Sequence, residues 1–217
     1  MRTVHDAVRI ITEAARGKTV VIFVCGFGGA GKSTLCHYLS CTVKVPSVAF
    51  ETDWYLKYST TERRERIRAA KASKDQKLIE QEENPKNWYA WPDLTSGLNE
   101  LKEAGHLAIR NAWSQHSGKK ELSVDLELPK NQDSVILCDG IYLLHDDIVS
   151  AADLVILLDT PIETCRERAN MRDGHRSSKD YLDYKAFLHD RYDKPYFDSH
   201  RERANLIVSS NFPKASF

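Results

Sequence analysis

Three continuous runs of apolar residues, rich in β-branched side chains, alternate along the chain with segments whose apolar residues recur at helical spacing. The runs cover residues 20–25, 135–138 and 154–158. Runs of this kind are typical of strands that are buried on both faces of a parallel sheet. Shorter apolar segments at 47–50 and 205–208 predict two further strands. The alternation of strands and helices predicts an α/β fold with a central, mainly parallel sheet.

Helical periodicity begins behind Thr3, a plausible N-cap, and Gly17 closes it, which predicts an N-terminal helix within residues 1–17. Between 106 and 128, apolar residues alternate with polar ones and predict one half-exposed strand in a small antiparallel flap. No linker rich in glycine and serine divides the chain, so we expect a single domain over 1–217. Further helices are predicted at 33–40, 60–82, 94–104, 161–172 and 180–192.

Composition narrows the class of protein. Hydrophobic residues make up 41% and charged residues 29% of the 217 residues, as in globular chains. The 31 basic and 31 acidic residues cancel, so no overall charge attracts nucleic acid. No apolar stretch is long enough to span a bilayer, and charged residues interrupt the N-terminal segment where a signal peptide would be apolar. We therefore expect a cytoplasmic protein that does not contact membranes.

The cysteines support the same compartment. They are odd in number and lack the paired spacing of metal ligands. Because they sit in apolar surroundings, we expect reduced, buried thiols. The five are Cys25, Cys36, Cys41, Cys138 and Cys165.

Residues 26–34 read GFGGAGKST and join the first apolar run to a helix, which fits the pattern G-x-x-x-x-G-K-[ST]. Glycines let main-chain N–H groups turn inward and hold a polyphosphate, and the start of the helix adds its positive end. We expect the lysine to bridge the β and γ phosphates and the Ser33 hydroxyl to bind Mg²⁺. The predicted nucleotide-binding residues are Gly26, Gly28, Gly29, Ala30, Gly31, Lys32, Ser33 and Thr34.

Two acidic residues follow apolar runs. Asp139 ends the run 135–138 and is placed to hold Mg²⁺ or its water ligands, unless it belongs to an ordinary turn. Asp53 follows the segment 47–50. The carboxyl ends of parallel strands carry ligand sites, so Asp53 is a candidate base for an attacking hydroxyl, an effect of about a hundredfold to ten-thousandfold. The alternative for Asp53 is a cap of a helix or loop.

Arginines crowd the helix predicted at 161–172 and its exit. Arg168, Arg172 and Arg176 recur four residues apart, and a guanidinium suits phosphate oxygens. The spacing predicts a mobile lid over 172–180 that neutralises the transferred phosphoryl group. The alternative is a solvated helix face whose arginines pair with neighbouring acids.

In this order and spacing, the motifs resemble the phosphoribulokinase/uridine kinase family of P-loop small-molecule kinases. The resemblance spans roughly residues 18–210. It implies a three-layer fold like that of nucleoside and nucleotide kinases, ATP as donor, Asp53 as the activating acid, the lid arginines named above, and a homo-oligomer. It rests on Gly26 to Thr34, Asp53 with Trp54 and Tyr55, Pro92, Gln115 to Ser117, Cys138 to Gly140, Arg172 with Asp173, and Tyr184 to Tyr196.

The acceptor side departs from the family pattern. Uridine kinases have an acid that holds the ribose hydroxyls where this chain reads Trp88 to Pro92, and a stacking tyrosine where it has Asn111. His116 matches the base-contacting histidine of the family. The tryptophans offer either a different stacking wall or core packing. The predicted acceptor contacts are Tyr55, Trp88, Trp91, Asn111, Trp113 and His116.

These features predict an ATP-dependent kinase acting on a hydroxyl of a small, nucleoside-like or sugar-like molecule. A kinase acting on a hydroxyl of nucleic acid is an alternative, because the segment 57–77 carries eight basic and three acidic residues. That segment also fits a solvated helix that begins at a capping box from Ser59 to Glu62. A non-catalytic nucleotide-binding module is the remaining alternative.

Overall fold

A computed structural model describes residues 2–130, 132–173 and 179–210 of the chain. These residues form two compact units. The first unit comprises Met1–Phe50 and Leu128–Phe217, and the second comprises Glu51–Glu127. The expectation that residues 1–217 act as a single domain stays a prediction.

The first unit contains a five-stranded parallel sheet. The part of the chain that the structure describes has seven strands, five in this sheet and two in a separate pair. They are β1 (Thr19–Cys25), β2 (Ser47–Glu51), β3 (His106–Trp113), β4 (Lys120–Glu127), β5 (Ser134–Gly140), β6 (Leu154–Asp159) and β7 (Leu206–Ser209). The strand order in the large sheet is β2-β5-β1-β6-β7, and β1 pairs in parallel with both β5 and β6. The predicted α/β fold with a central parallel sheet is confirmed, as are its five strands.

The strands of this sheet are buried on both faces. Val20 and Ile22 of β1 pack in a core cluster with Ile11, while the alternate positions Val21 and Phe23 are buried as well. Successive side chains of a strand point to opposite faces, so burial at every position requires cover on both sides of the sheet. The continuous apolar run in the sequence follows from this cover.

Nine α-helices lie in the described residues. They are α1 (Val4–Ala14), α2 (Lys32–Thr42), α3 (Thr60–Ser73), α4 (Gln76–Glu83), α5 (Trp91–Ala104), α6 (Asp146–Val149), α7 (Ile162–Asp173), α8 (Lys179–Leu188) and α9 (Lys194–His200). The prediction of one helix over 60–82 is wrong. Lys74 takes a left-handed conformation with φ 59°, and the Asp75 carboxylate then accepts from the N–H of Lys77 and starts α4. A cap inside the segment thus overrides its helical propensity.

The predicted helix 180–192 also ends differently. After α8, the residues His189–Asp193 form a π-helical turn that leads into α9. A π-helical turn is rare and is frequently found at functional sites. His189 and Asp193, the first and last residues of this turn, are both buried.

The second unit contains the pair β3 and β4, which is antiparallel. The sequence predicted one strand here and missed β3. The register of β3 shifts between Ile109 and Ala112, where Asn111 has a positive φ of 59°, so its polar and apolar residues do not alternate. The capping box predicted at Ser59 and Glu62 is confirmed. The role of the hairpin as an acceptor-binding flap stays a prediction.

Four of the five cysteines are buried as expected, and burial raises the pKa of the Cys25 thiol to about 12. The expectation is wrong for Cys41, which is exposed because it lies on the outer face of α2. Among the described residues, no helix combines the length and the apolar character needed to cross a membrane.

Candidate active site

The glycine loop leaves β1 after Cys25 and ends where α2 begins at Lys32. Gly29 has a φ of +85°, and a Cβ at this position would lie 2.2 Å from the carbonyl oxygen of Cys165. Gly31, with a φ of +100°, is the N-cap of α2. The loop therefore depends on glycine for its backbone conformation and for its close packing, as a loop that presents N–H groups to a phosphate must.

Three side chains hold the loop from within the first unit. The Lys32 Nζ donates to the carbonyl oxygen of Phe27 at 3.0 Å. The carbonyl oxygen of Ala30 accepts from Thr160 Oγ1 at 3.0 Å and from Arg168 Nη1 at 3.3 Å. The structure thus places Lys32 and Arg168, two of the predicted catalytic residues, at the glycine loop.

Ser33 and Asp139, the two predicted metal ligands, lie in hydrogen-bond contact. The Ser33 hydroxyl donates to Asp139 Oδ2 at 2.6 Å. The register explains the contact, because β1 and β5 pair Val24 with Asp139 and so bring the carboxyl end of β5 beside the loop. A hydroxyl and a carboxylate are the hard oxygen ligands that Mg²⁺ prefers.

A magnesium ion at a phosphate site needs few protein ligands, because phosphate oxygens and water complete its coordination. The residues that the structure describes contain no group of three or more His, Cys, Asp or Glu side chains that could hold a metal ion by themselves. The Ser33 and Asp139 pair fits a magnesium ion that is shared with a nucleotide.

A buried polar network next to the loop was missed by sequence reasoning. A Cβ at Gly28 would lie 3.3 Å from His189 Nε2, and the same nitrogen is 3.5 Å from Asp193 Oδ2. The Tyr142 hydroxyl donates to Asp193 Oδ1. Burial lowers the pKa of His189 to about 4 and raises the pKa of Asp193 to about 6. The sequence signal was the segment from Tyr184 to Tyr196, which contributed to the family resemblance but gave no role to His189 or Asp193.

The predicted lid is only partly within the described residues. Arg172 is exposed in the last turn of α7, and Arg176 lies outside the described residues. Arg166 forms an ion pair with Asp190 of the π-helical turn, 24 positions further along the chain. The lid over 172–180 stays a prediction.

Asp53 lies in the second unit, in a 3₁₀ turn that follows β2. Its Oδ1 accepts from the Tyr89 hydroxyl at 2.9 Å, and the side chain is half-buried. Tyr89 forms an antiparallel bridge with Leu56, and its ring stacks on Trp91 with centroids 4.9 Å apart. A half-buried carboxylate oriented by one hydroxyl keeps its second oxygen for another partner. No motif in the sequence pointed to Tyr89.

Two of the predicted acceptor contacts pack inside the second unit. Trp91 is 8% exposed, and its indole N–H donates to the carbonyl oxygen of Lys86 at 3.1 Å. The Tyr55 hydroxyl lies 2.1 Å from where a Cβ at Gly97 would be. The tight contact explains why α5 has glycine at this position.

The other predicted contacts lie on or beside the hairpin. Trp88 and Trp113 each lie against the Arg63 guanidinium, at 4.8 Å and 5.3 Å from ring centroid to Cζ. Asn111 is exposed at the irregularity of β3, and His116 is exposed in the turn that joins β3 to β4. Their contact with an acceptor stays a prediction.

The basic segment 57–77 is partly neutralised by α4. Arg66 donates two hydrogen bonds to Glu82, at 2.8 Å and 2.6 Å, and Lys71 lies 2.6 Å from Glu83. These pairs favour the solvated-helix interpretation of α3. Binding of a polyanion here stays a prediction.

The glycine loop, the Ser33–Asp139 pair and the parallel sheet are the features of a P-loop nucleotide-binding fold. The sequence model of the phosphoribulokinase/uridine kinase family matches residues 21–211, so the chain belongs to this family. It is an ATP-dependent phosphotransferase that acts on a hydroxyl group of a small molecule.

The chain is similar in sequence or in fold to several known proteins. The chain is 22% identical over 200 residues to a uridine kinase from Ureaplasma parvum, and the match covers 88% of both chains. Its fold is similar to that of a candidate fructose transport system kinase from Silicibacter sp., with a TM-score of 0.69, 16% identity and coverage of 98% of this chain and 100% of the other. It is also similar to D-glycerate 3-kinase from Cryptococcus neoformans, with a TM-score of 0.62, 12% identity and coverage of 98% and 97%.

Proposed function

We propose that the protein transfers the γ-phosphoryl group of ATP to a hydroxyl of a nucleoside-like or sugar-like small molecule. The observation that carries this proposal is the 2.6 Å hydrogen bond from Ser33 to Asp139 beside the glycine loop. It brings together the two oxygen ligands that a P-loop kinase uses for its metal. We assign donor binding to the glycine loop and activation of the acceptor hydroxyl to Asp53.

On the donor side, main-chain N–H groups of the loop Gly26 to Thr34 bind the phosphate oxygens, and the start of α2 adds its positive end. Lys32 releases its bond to the Phe27 carbonyl and donates to the β and γ phosphates. Ser33 and Asp139 would hold Mg²⁺, which supplies neutralisation of the phosphate charge. Arg168, held at 3.3 Å from the Ala30 carbonyl oxygen, adds a second positive charge to the loop.

On the acceptor side, Asp53 accepts the proton of the attacking hydroxyl. The hydroxyl oxygen forms a bond to the γ phosphorus, the bond from that phosphorus to the bridging oxygen of ADP breaks, and the electron pair leaves with ADP. The proton goes to the carboxylate of Asp53, whose Oδ1 is fixed by the Tyr89 hydroxyl. Arg172 and Arg176 are proposed as the lid arginines that neutralise the transferred group.

The Asp53→Asn variant tests this assignment. We expect kcat to fall by about a hundredfold to ten-thousandfold because the amide cannot accept the proton. The affinity for Mg·ATP, measured by calorimetry, should stay within about twofold of the wild type. Glu100→Gln removes an exposed carboxylate from α5 of the same unit and should leave kcat unchanged. Full activity in Asp53→Asn would show that Asp53 is not the base.

A further inference from the structure

Arg63 lies in the first turn of α3, over the faces of two tryptophan rings. Its Cζ is 4.8 Å from the centroid of the Trp88 ring and 5.3 Å from that of Trp113. Its Nη2 donates to Thr60 Oγ1 at 3.3 Å. The π electrons of the indole faces attract the cation, while the N–H donors of a guanidinium lie in its own plane. The tryptophan surface that the sequence offers for a flat ligand therefore already carries a positive charge.

Trp113 has a buried donor that lacks an acceptor. The residue is 8% exposed, and its Nε1 has no hydrogen-bond partner among the described residues. The other indoles of this cluster differ, because Trp88 donates to the carbonyl oxygen of Glu82 at 2.8 Å and Trp91 to that of Lys86 at 3.1 Å. Burying an N–H without an acceptor is costly, so such a group in a native protein requires an explanation. An oxygen atom of a ligand would supply the missing acceptor.

The Arg63 guanidinium and the Trp113 indole both belong to the second unit, which also contains Asp53, the proposed base. Trp88 is followed in the chain by Tyr89, whose hydroxyl donates to Asp53. The strand β3, which ends at Trp113, packs against the 3₁₀ turn Thr52–Tyr55 that carries Asp53. A ligand that reaches Asp53 and the donors of this cluster would contact residues of a single unit.

We propose that Arg63 and the indole N–H of Trp113 bind an anionic oxygen group on the phosphoryl acceptor, so that the acceptor is a hydroxylated carboxylate or phosphate ester. This inference rests on the proposed function. A carboxylate or a phosphate offers oxygen acceptors to both donors and gains from the positive charge of Arg63. A neutral nucleobase would have to displace Arg63 before it could stack on these rings.

Matched acceptors test the inference and separate the two sources of the anion. The three-carbon set is glycerol, D-glycerate and glycerol 3-phosphate, and the five-carbon set is ribose and ribose 5-phosphate. ADP release gives kcat and KM for each. We expect at least one anionic member to exceed its neutral counterpart by about tenfold or more in kcat/KM, since a charged hydrogen bond has this strength. Equal or better turnover of the neutral members would overturn the inference and leave the proposed function intact.

Variants of Arg63 and Trp113 test whether these two donors cause the preference for anionic acceptors. Arg63→Met should lower kcat/KM for the preferred anion by roughly tenfold to a hundredfold, mostly through KM, and leave the neutral members unchanged. Trp113→Phe keeps an aromatic ring under Arg63 and removes the N–H, so we expect a smaller increase in KM, of about fivefold. Arg68→Met changes an exposed arginine of the same helix and is the matched control. Equal losses on anionic and neutral acceptors in Arg63→Met would contradict the assignment.

A binding measurement does not depend on phosphoryl transfer. Intrinsic tryptophan fluorescence is titrated with D-glycerate and with ribose 5-phosphate in the absence of ATP. The inference predicts a saturable change with at least one of them that Arg63→Met abolishes and Arg68→Met keeps. No saturable change with either anion would overturn it, even if the enzyme phosphorylates a neutral acceptor. Anion binding through Arg63 without any transfer would instead count against the proposed function.

Discussion

The glycine loop of the first unit and the aromatic cluster of the second unit hold their functional groups in place by different means. The aromatic cluster comprises Trp88, Tyr89, Trp91 and Trp113. In the loop the functional groups are main-chain N–H groups, and the backbone conformation holds them in place. Gly29 fits there because a Cβ would lie 2.2 Å from the Cys165 carbonyl oxygen. In the cluster, side chains hold other side chains, as Tyr89 holds Asp53 and the two indoles hold Arg63. We therefore expect the glycine loop to tolerate fewer substitutions than the aromatic cluster.

This contrast explains how one chemistry serves different acceptors. Phosphate is bound through N–H groups that every residue except proline provides, and the constraint falls on backbone conformation. An acceptor is recognised by side chains, so we expect the Trp88 to Pro92 segment, which stands where the family pattern has an acid, to alter acceptor recognition and not phosphate binding. Substitutions in the two regions should therefore have different effects on activity and stability.

Removal of the loop charge should have the largest effect on activity. We expect Lys32→Met to lower kcat by roughly a thousandfold, because the charge that forms on the transferred group loses a donor in a fixed position. The free energy of unfolding should change little, since Lys32 makes one hydrogen bond to a loop carbonyl. Lys44→Met removes an exposed lysine from the same unit and is the control for both measurements.

A methyl group in the loop should have the largest effect on stability. Gly29→Ala combines a left-handed φ with a clash against Cys165, and we expect a loss of about 3 kcal/mol in the free energy of unfolding. Gly17 has a φ of +74° but nothing within 4 Å of its would-be Cβ. Gly17→Ala should therefore cost only about 1 kcal/mol. Urea unfolding measures both, and equal losses would show that packing does not constrain Gly29.

The buried network beside the loop should show opposing pH effects. The folded-state pKa of Asp193, about 6, lies above the ordinary value of 3.8, so the free energy of unfolding falls as the pH rises from about 4 to 6. The folded-state pKa of His189, about 4, lies below the ordinary 6.5, so the free energy of unfolding falls as the pH drops from about 6.5 to 4. In the wild type these two contributions nearly cancel.

Single variants should uncover each contribution. Relative to the wild type, the stability of Asp193→Asn should gain a positive slope between pH 4 and 6, because the histidine contribution remains. His189→Gln should gain a negative slope over the same range. Each slope is at most about 1.4 kcal/mol per pH unit, measured by urea unfolding at several pH values. Parallel stability curves for all three proteins would contradict the assigned pKa shifts.

Removing the Tyr89 hydroxyl in the second unit should lower kcat less than removing the Lys32 charge does. Tyr89→Phe removes the hydroxyl that donates to Asp53 and keeps the ring that stacks on Trp91. We expect kcat to fall by about tenfold, the value of one hydrogen bond to a charged group, with the KM for ATP unchanged. Tyr58→Phe in the same unit is the control. A large change in the KM for ATP would mean that Tyr89 acts on the donor and not on Asp53.

The parts that could be predicted from the sequence depend on neighbours in the chain. The glycine loop, the apolar strands and the capping box at Ser59 are encoded within a few residues. The prediction of one helix over 60–82 was wrong because the only local signal of a break is the capping residue Asp75. Nothing in the sequence marks the left-handed conformation of Lys74 before it. Local patterns therefore gave the sheet and most helices but not each boundary.

The parts that could not be predicted depend on distant contacts. Tyr89 meets Asp53 across 36 positions, and Tyr142 meets Asp193 across 51. Arg63 belongs to a segment whose charge pattern indicated a solvated face, and only the structure shows it over Trp88 and Trp113. Such pairs follow from the way the helices pack, and a pattern along one sequence does not contain that information.

Backbone hydrogen exchange tests the central claim, that main-chain N–H groups of the first unit bind the triphosphate. Exchange is measured with no nucleotide, with Mg·AMP and with Mg·ATP. The account predicts that Mg·ATP slows exchange in the peptide covering Gly26 to Thr34 and that AMP, which lacks the β and γ phosphates, does not. Protection of this peptide by AMP to the same extent, or no protection there while Mg·ATP is bound, would contradict it.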